Sequence, residues 1–122
     1  MTPQDHDHSP LAPGDEPTAR IVLRDREAVT VCVSGQIDNV TAPALRSCLA
    51  RCLSEGFTLI TVDMRSLEFI DFAGIRPLVW TDQRLRSRRG RLVLQSPPSW
   101  AQEVLAVSGL TPFLSVDTQP PL

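Results

Sequence analysis

Between residues 28 and 36 the valines Val29, Val31 and Val33 alternate with Thr30, Cys32 and Ser34. A period of two predicts a strand with one buried face and one less buried, and a short apolar stretch over 21–24 predicts another strand before it. After a turn at 35–39 the period changes. Leu45, Cys48, Leu49, Cys52 and Leu53 recur at helical spacing and form one apolar stripe that ends at Gly56. Thr41 is placed to cap this helix, and Pro43 falls near its first turn, where a missing N–H costs nothing. Residues 59–63 are apolar and β-branched, as expected of a central strand closed by a polar turn around Arg65 and Ser66. A second helix starts at 71–73 and stops at Gly90, with Ile75, Leu78, Val79 and Leu85 on one face and Arg76, Trp80, Arg84 and Arg88 on another. A strand over 91–95, a short helix over 99–108 and an edge strand over 114–116 complete the pattern. Two strands followed by alternating helices and strands predict an α/β fold, a single domain with a mixed β-sheet flanked by α-helices. The expected boundaries are a flexible tail over 1–19, the domain over 20–117 and a short tail over 118–122, the first being rich in Pro and acidic residues with little to bury.

Composition narrows the chemistry. All twelve basic residues are Arg, so no Schiff-base lysine, P-loop lysine or lysine general base exists in this sequence. The two histidines, His6 and His8, lie in the first tail, which leaves the expected domain without an imidazole for a Ser-His or Cys-His arrangement. These absences argue against an enzyme, and no cofactor is expected. Cys32, Cys48 and Cys52 form no C-x-x-C pair and are read as reduced, small packing residues rather than as metal ligands. The Asp-His-Asp-His run at 5–8 could hold a metal weakly, but no further ligand lies close to it. A net charge of −2 gives no reason to expect nucleic acid as a partner. No apolar run approaches the roughly 20 residues of a membrane span, and residues 1–19 do not read as a signal peptide, so the expected location is cytoplasmic.

The segment LITVDMRSLEFIDFAGIRPLVW, from residue 59, resembles the core motif of the STAS domain family. Members typically show a strand ending in Val-Asp-Leu, a Phe-hydrophobic-Asp turn, two small or hydroxyl residues, a Gly and an amphipathic helix. Here Val62, Asp63, Met64, Phe69, Ile70, Asp71, Phe72, Ala73 and Gly74 hold those places. SGQIDNVTAPAL resembles the family's loop before the first helix, and VLAVSGLTPFL its closing stretch. The resemblance covers about residues 20–117 and points to the anti-sigma factor antagonists. It implies a non-enzymatic regulator that docks an anti-sigma factor, a GHKL-type serine kinase. The alternative it leaves open is a STAS accessory subunit of a phospholipid ABC transporter, whose partner is a transporter ATPase.

In the regulated members the residue after the motif Asp is a Ser or Thr that the partner kinase phosphorylates, adding charge at the docking site. This sequence has Phe72 there, and neither Phe72 nor Ala73 carries a hydroxyl. The implied phosphorylation cannot occur at either place. The expected partner-binding residues are Asp38, Asp71, Phe72, Ala73, Gly74, Arg76 and Trp80. Asp71 can dock a partner, cap the second helix, or do both. Phe72 can present an apolar contact or fold back under the turn. Trp80 beside Arg76 and Arg84 has the composition of an interface, and the competing reading packs it on a neighbouring element. Arg84, Arg86, Arg88, Arg89 and Arg91 read as a solvated helix end. A sheet edge or Trp80 could also support a homodimer.

Overall fold

The structure, a computed structural model, describes residues 17–107 and 115–117. In chain order it consists of β1 (Ala19–Asp25), β2 (Ala28–Ile37), α1 (Ala42–Ser54), β3 (Leu59–Ile70), α2 (Phe72–Arg86), β4 (Arg91–Gln95), α3 (Ser99–Val107) and β5 (Ser115–Asp117). The expected tails at 1–19 and 118–122, the Asp-His run and the closing motif lie wholly or mostly outside the described residues.

The five strands form one mixed sheet in the order β1-β2-β3-β4-β5. β1 and β2 make an antiparallel hairpin, and β2, β3, β4 and β5 run parallel. Parallel neighbours need a crossover, which α1 supplies between β2 and β3 and α2 between β3 and β4. The alternation in β2 turns Val29, Val31 and Val33 inward, and β3 adds Ile60 and Val62. The helical stripes complete the core with Leu45, Leu49 and Leu53 from α1 and Ile75, Leu78 and Leu85 from α2. Each such side chain removed from water contributes about 1.5–3 kcal/mol, so the core is what makes the two long helices stay on the sheet. Cys52 is buried at the centre of the α1 stripe, and its thiol is pushed far above the usual range by its hydrogen bond with Cys48 and by burial. It is a packing residue.

Three expectations are corrected. The turn placed at 35–39 is narrower, because β2 continues through Gly35 and Gln36 to Ile37. The polar turn at Arg65 and Ser66 does not form; β3 runs on to Ile70 with both residues inside it. Both errors have one cause. The two strands stay paired as far as Ile37 opposite Ile70, but β3 carries an extra residue between the partners of Cys32 and Ser34, and another between those of Gly35 and Gln36. Bulges of this kind break the two-residue alternation that marks a strand in sequence. Gly35 (φ 74°) takes the left-handed conformation within this irregular stretch. Finally, α2 stops at Arg86 rather than at Gly90; Arg89 (φ 61°) turns the chain, and Gly90 N–H closes the end by donating to Leu85 O at 2.7 Å.

At the first bulge Asp63 is nearly buried and faces Arg65. Its Oδ2 accepts from Arg65 Nη2 at 2.8 Å, and its Oδ1 from Arg65 Nε and the Arg65 backbone N–H, each at 3.1 Å. Burial alone would push the Asp63 carboxyl up, but the hydrogen bonds and charge of Arg65 outweigh it and hold it below the usual range. The carboxylate therefore contributes stability that is present above about pH 4, the unfolded value, and is lost as pH falls through the lower folded value. Urea unfolding between pH 7 and pH 2.5 is expected to show Asp63→Asn losing less stability over the acid part of that range than the wild type. Parallel curves would mean that other carboxylates set the acid limit.

Candidate protein-docking site

Beyond Val33 and Asp63 the neighbouring strands β1 and β4 end, so the last residues of β2 and β3 project as a two-stranded ribbon. This ribbon delivers the chain directly to the starts of α1 and α2. The two helix starts are tied together there, because Asp71 N–H donates to Ile37 O at 3.2 Å.

Asp38 organises the first helix start. Its Oδ1 accepts from the backbone N–H groups of Val40 (2.9 Å) and Thr41 (3.1 Å), and its carbonyl accepts from Ala42 N–H at 2.7 Å. Those amides, Thr41 first and then Val40, hold its carboxyl below the usual range. Thr41 occupies the cap position as expected but its side chain does not cap. Its Oγ1 donates to Gln36 O at 2.7 Å and accepts from Asp38 N–H at 3.0 Å, bracing the loop against the ribbon. The loop is thus closed by Asp38, an assignment that a search for a cap beside the first helical residue misses.

Asp71 caps the second helix. Its backbone is extended, and Oδ1 accepts from Ala73 N–H at 2.9 Å and Gly74 N–H at 3.3 Å. Two of the amides that would otherwise attract an anion to this helix end are therefore already satisfied by an internal carboxylate. Phe72, the next residue, points outward and is 58% exposed; Arg76, one turn on, lies over its ring at 5.4 Å from the centroid. Of the two readings of Phe72, the structure selects the exposed one. Val40 (79%) and Phe69 (45%) are exposed at the same end of the molecule, so three large apolar side chains surround the helix starts.

The seven residues singled out from sequence divide into two groups. Asp38, Asp71 and Gly74 build the corner: the first two by their hydrogen bonds, and Gly74 by being buried where a side chain would strike Ile37 and Ile70. Phe72, Arg76 and Trp80 present it to solvent, with Ala73 half-buried between them. Pro77, inside α2 beside Arg76, is buried.

Trp80 is half-buried, packed against a neighbouring helix on one part of its ring and open to solvent on another. Arg84, from its own helix, and Arg46, from α1, lie over its ring with guanidinium carbons 4.9 and 4.6 Å from the centroid. Arg46 was not foreseen, since no spacing rule relates residues on different helices. Two grooves flank Arg76. One, of about 250 Å³, runs between the helix starts and is lined by Asn39, Ala42, Pro43, Arg46, Ala73, Arg76 and Pro77. The other, of about 210 Å³, is lined by Phe72, Ile75, Arg76, Val79, Trp80 and Gln83 and is almost wholly apolar. A larger polar cleft of about 570 Å³ lies along the ribbon beside Arg20, Gln36, Ser66 and Glu68.

Among the described residues no group of three His, Cys, Asp or Glu side chains could hold a metal ion, and no helix is long and apolar enough to cross a membrane. The arrangement offers hydrogen bonds, charge and apolar surface.

Residues 22–115 match the family described as Mlab, STAS domain. BtrV of Bordetella bronchiseptica, assigned as an anti-sigma factor antagonist, is 31% identical over 85 residues, covering 70% of this chain and 71% of that protein. Among solved structures, the anti-sigma factor antagonist from Mycobacterium paratuberculosis superposes with a TM-score of 0.75 at 22% identity, covering 84% of this chain and 86% of that one. SpoIIAA, an anti-sigma factor antagonist, in its unphosphorylated form gives 0.71 at 24% identity, covering 83% and 89%. The family match spans most of the chain and the relatives agree with it: the chain belongs to the STAS domain family.

Proposed function

We propose that this chain is a non-enzymatic, protein-binding regulator of the anti-sigma factor antagonist kind. It acts in the cytoplasm and docks an anti-sigma factor kinase of the GHKL type with the starts of α1 and α2. The observation that carries this reading is the exposure of Phe72. An aromatic side chain at the first position of a helix, left more than half exposed by the described residues, is apolar surface of the kind that docking to another protein buries.

The same residue removes the regulation implied by the family resemblance. Phe72 has no hydroxyl to phosphorylate and no charge to imitate a phosphate, and Asp71 already satisfies the amides beside it. Docking at this corner is therefore constitutive with respect to modification at 72 and 73. Thr41 is a poor substitute acceptor because its hydroxyl is engaged with Gln36 O at 2.7 Å. Ser66 is exposed in the polar cleft.

The test is calorimetric binding of the purified protein to the anti-sigma factor kinases and to the transporter ATP-binding subunits encoded in the same genome. Binding to a kinase is expected, with Phe72→Ala and Trp80→Ala each weakening it by about 1–2 kcal/mol, the scale of buried aromatic anchors. Binding to a transporter subunit alone would instead establish the accessory-subunit role. Incubation with the kinase and ATP, followed by mass spectrometry, is expected to leave residues 71–74 unmodified. Phosphate found on Ser66 would show that another hydroxyl has taken over the switch.

A further inference from the structure

The docking face is positively charged in a chain whose net charge is −2. Arg46, Arg76 and Arg84 point toward it, and none has a carboxylate within ion-pair distance among the described residues. The ion pairs there are Arg24 and Arg51 with Glu55, Arg65 with Asp63, and Arg86 with Asp82. The two acidic residues of α2 and its cap are engaged elsewhere: Asp71 with the helix amides, Asp82 with Arg86. All three free guanidiniums are held over aromatic rings instead, Arg46 and Arg84 over Trp80 and Arg76 over Phe72.

Each of the Trp80 pair lies within 5 Å of the ring centre, so two like charges sit less than 10 Å apart, inside the screening length of physiological salt or close to it. The indole fixes both side chains, so little rotamer freedom is left to lose on binding. Planar guanidiniums held in place accept carboxylates in a two-pronged fashion. Beside them, Arg76 and Trp80 line the apolar groove together with Phe72, Ile75 and Val79.

We infer that Arg46, Arg76 and Arg84 form a receptor for an acidic segment of the partner protein, one that places carboxylates over the arginines and an apolar side chain in the groove beside Trp80. This rests on the docking role proposed above and adds the partner's chemistry to it. A nucleic acid fits less well. The arginines at and just beyond the end of α2 do not extend the face into a basic track, because Arg86 pairs with Asp82 and Arg88 donates to Leu53 O at 2.7 Å, whereas phosphate backbones are bound along such tracks.

The charge reversals Arg46→Glu and Arg84→Glu are each expected to weaken binding of the kinase identified above by about tenfold or more, with a wild-type affinity that falls steeply as salt is raised. Arg91→Glu, away from the face, is expected to change it less than twofold. If Phe72→Ala and Trp80→Ala weaken binding while the arginine reversals and salt do not, the acidic-segment inference fails and the docking role stands. If none of the four has an effect, both fail. A second arm needs no partner. In heteronuclear NMR at low salt, a ten-residue oligo-glutamate is expected to shift the side-chain signals of Arg46, Arg76, Trp80 and Arg84, while ten-residue oligo-thymidine and phosphatidylglycerol vesicles do not. Shifts confined to Arg86, Arg88, Arg89 and Arg91, or equal responses to all three polyanions, would overturn it.

Discussion

Gly90→Ala is expected to lower stability by about 3 kcal/mol or more, the upper end of what forcing an extra methyl into filled space costs. A Cβ at this position would overlap the carbonyl oxygen of Thr58, with the Thr58 carbonyl carbon only 3.0 Å away. The obstacle is backbone and cannot rotate aside. The same carbonyl accepts Arg91 N–H at 2.9 Å, the bond that seats β4 against the strand it pairs with. Relief of the clash therefore requires the entry to β4 to move. For a domain of this size the loss corresponds to a fall in Tm of about 10 °C or more. Thermal and urea unfolding measure it, and Gly56→Ala is the comparison. Gly56 has φ 89° but open space around it, so alanine there costs only the left-handed backbone, about 1–2 kcal/mol. A Gly90 variant no less stable than the Gly56 one would refute the steric account.

The second large effect falls on the docking corner. A methyl on Gly74 would come within 2.7 Å of Ile37 Cγ2, 2.8 Å of Ile37 O and 2.8 Å of Ile70 Cγ1. Alanine favours a helix by about 1 kcal/mol over glycine, but an overpacked core costs about 1–3 kcal/mol, and the rigid carbonyl here places the cost toward the top of that range. A net loss of about 1–2 kcal/mol is expected. More telling is the binding. To clear Ile37 the first turn of α2 must lift from the ribbon, carrying Phe72 and Arg76 with it. Gly74→Ala is therefore expected to weaken the proposed kinase binding by at least as much as Phe72→Ala, even at a temperature where the variant remains fully folded by circular dichroism. Wild-type affinity in a folded Gly74→Ala protein would show that the position of this turn does not matter to docking.

Much of the fold was legible because the core obeys simple periods. Val29, Val31 and Val33 alternate, and Leu45, Leu49 and Leu53 repeat at helical spacing, so local sequence already states which face each element buries. Where bulges break the alternation, at Arg65 and Ser66, the same rule reported a turn inside a strand, since the pairing that keeps those residues extended comes from β2, some thirty residues earlier.

The site divides along the same line. Sequence by itself determined the inventory: no Lys, histidines only at positions 6 and 8, and Phe72 directly after Asp71, all of which are covalent facts independent of folding. Tertiary structure alone decided that Phe72 faces outward, that Gly74 is a spacer against Ile37, and that Arg46 joins Arg84 over Trp80. The reason is range. Capping and periodicity act over a few residues, whereas exposure and the meeting of side chains from α1 and α2 depend on how two helices, joined through a strand, come to lie against each other on the sheet.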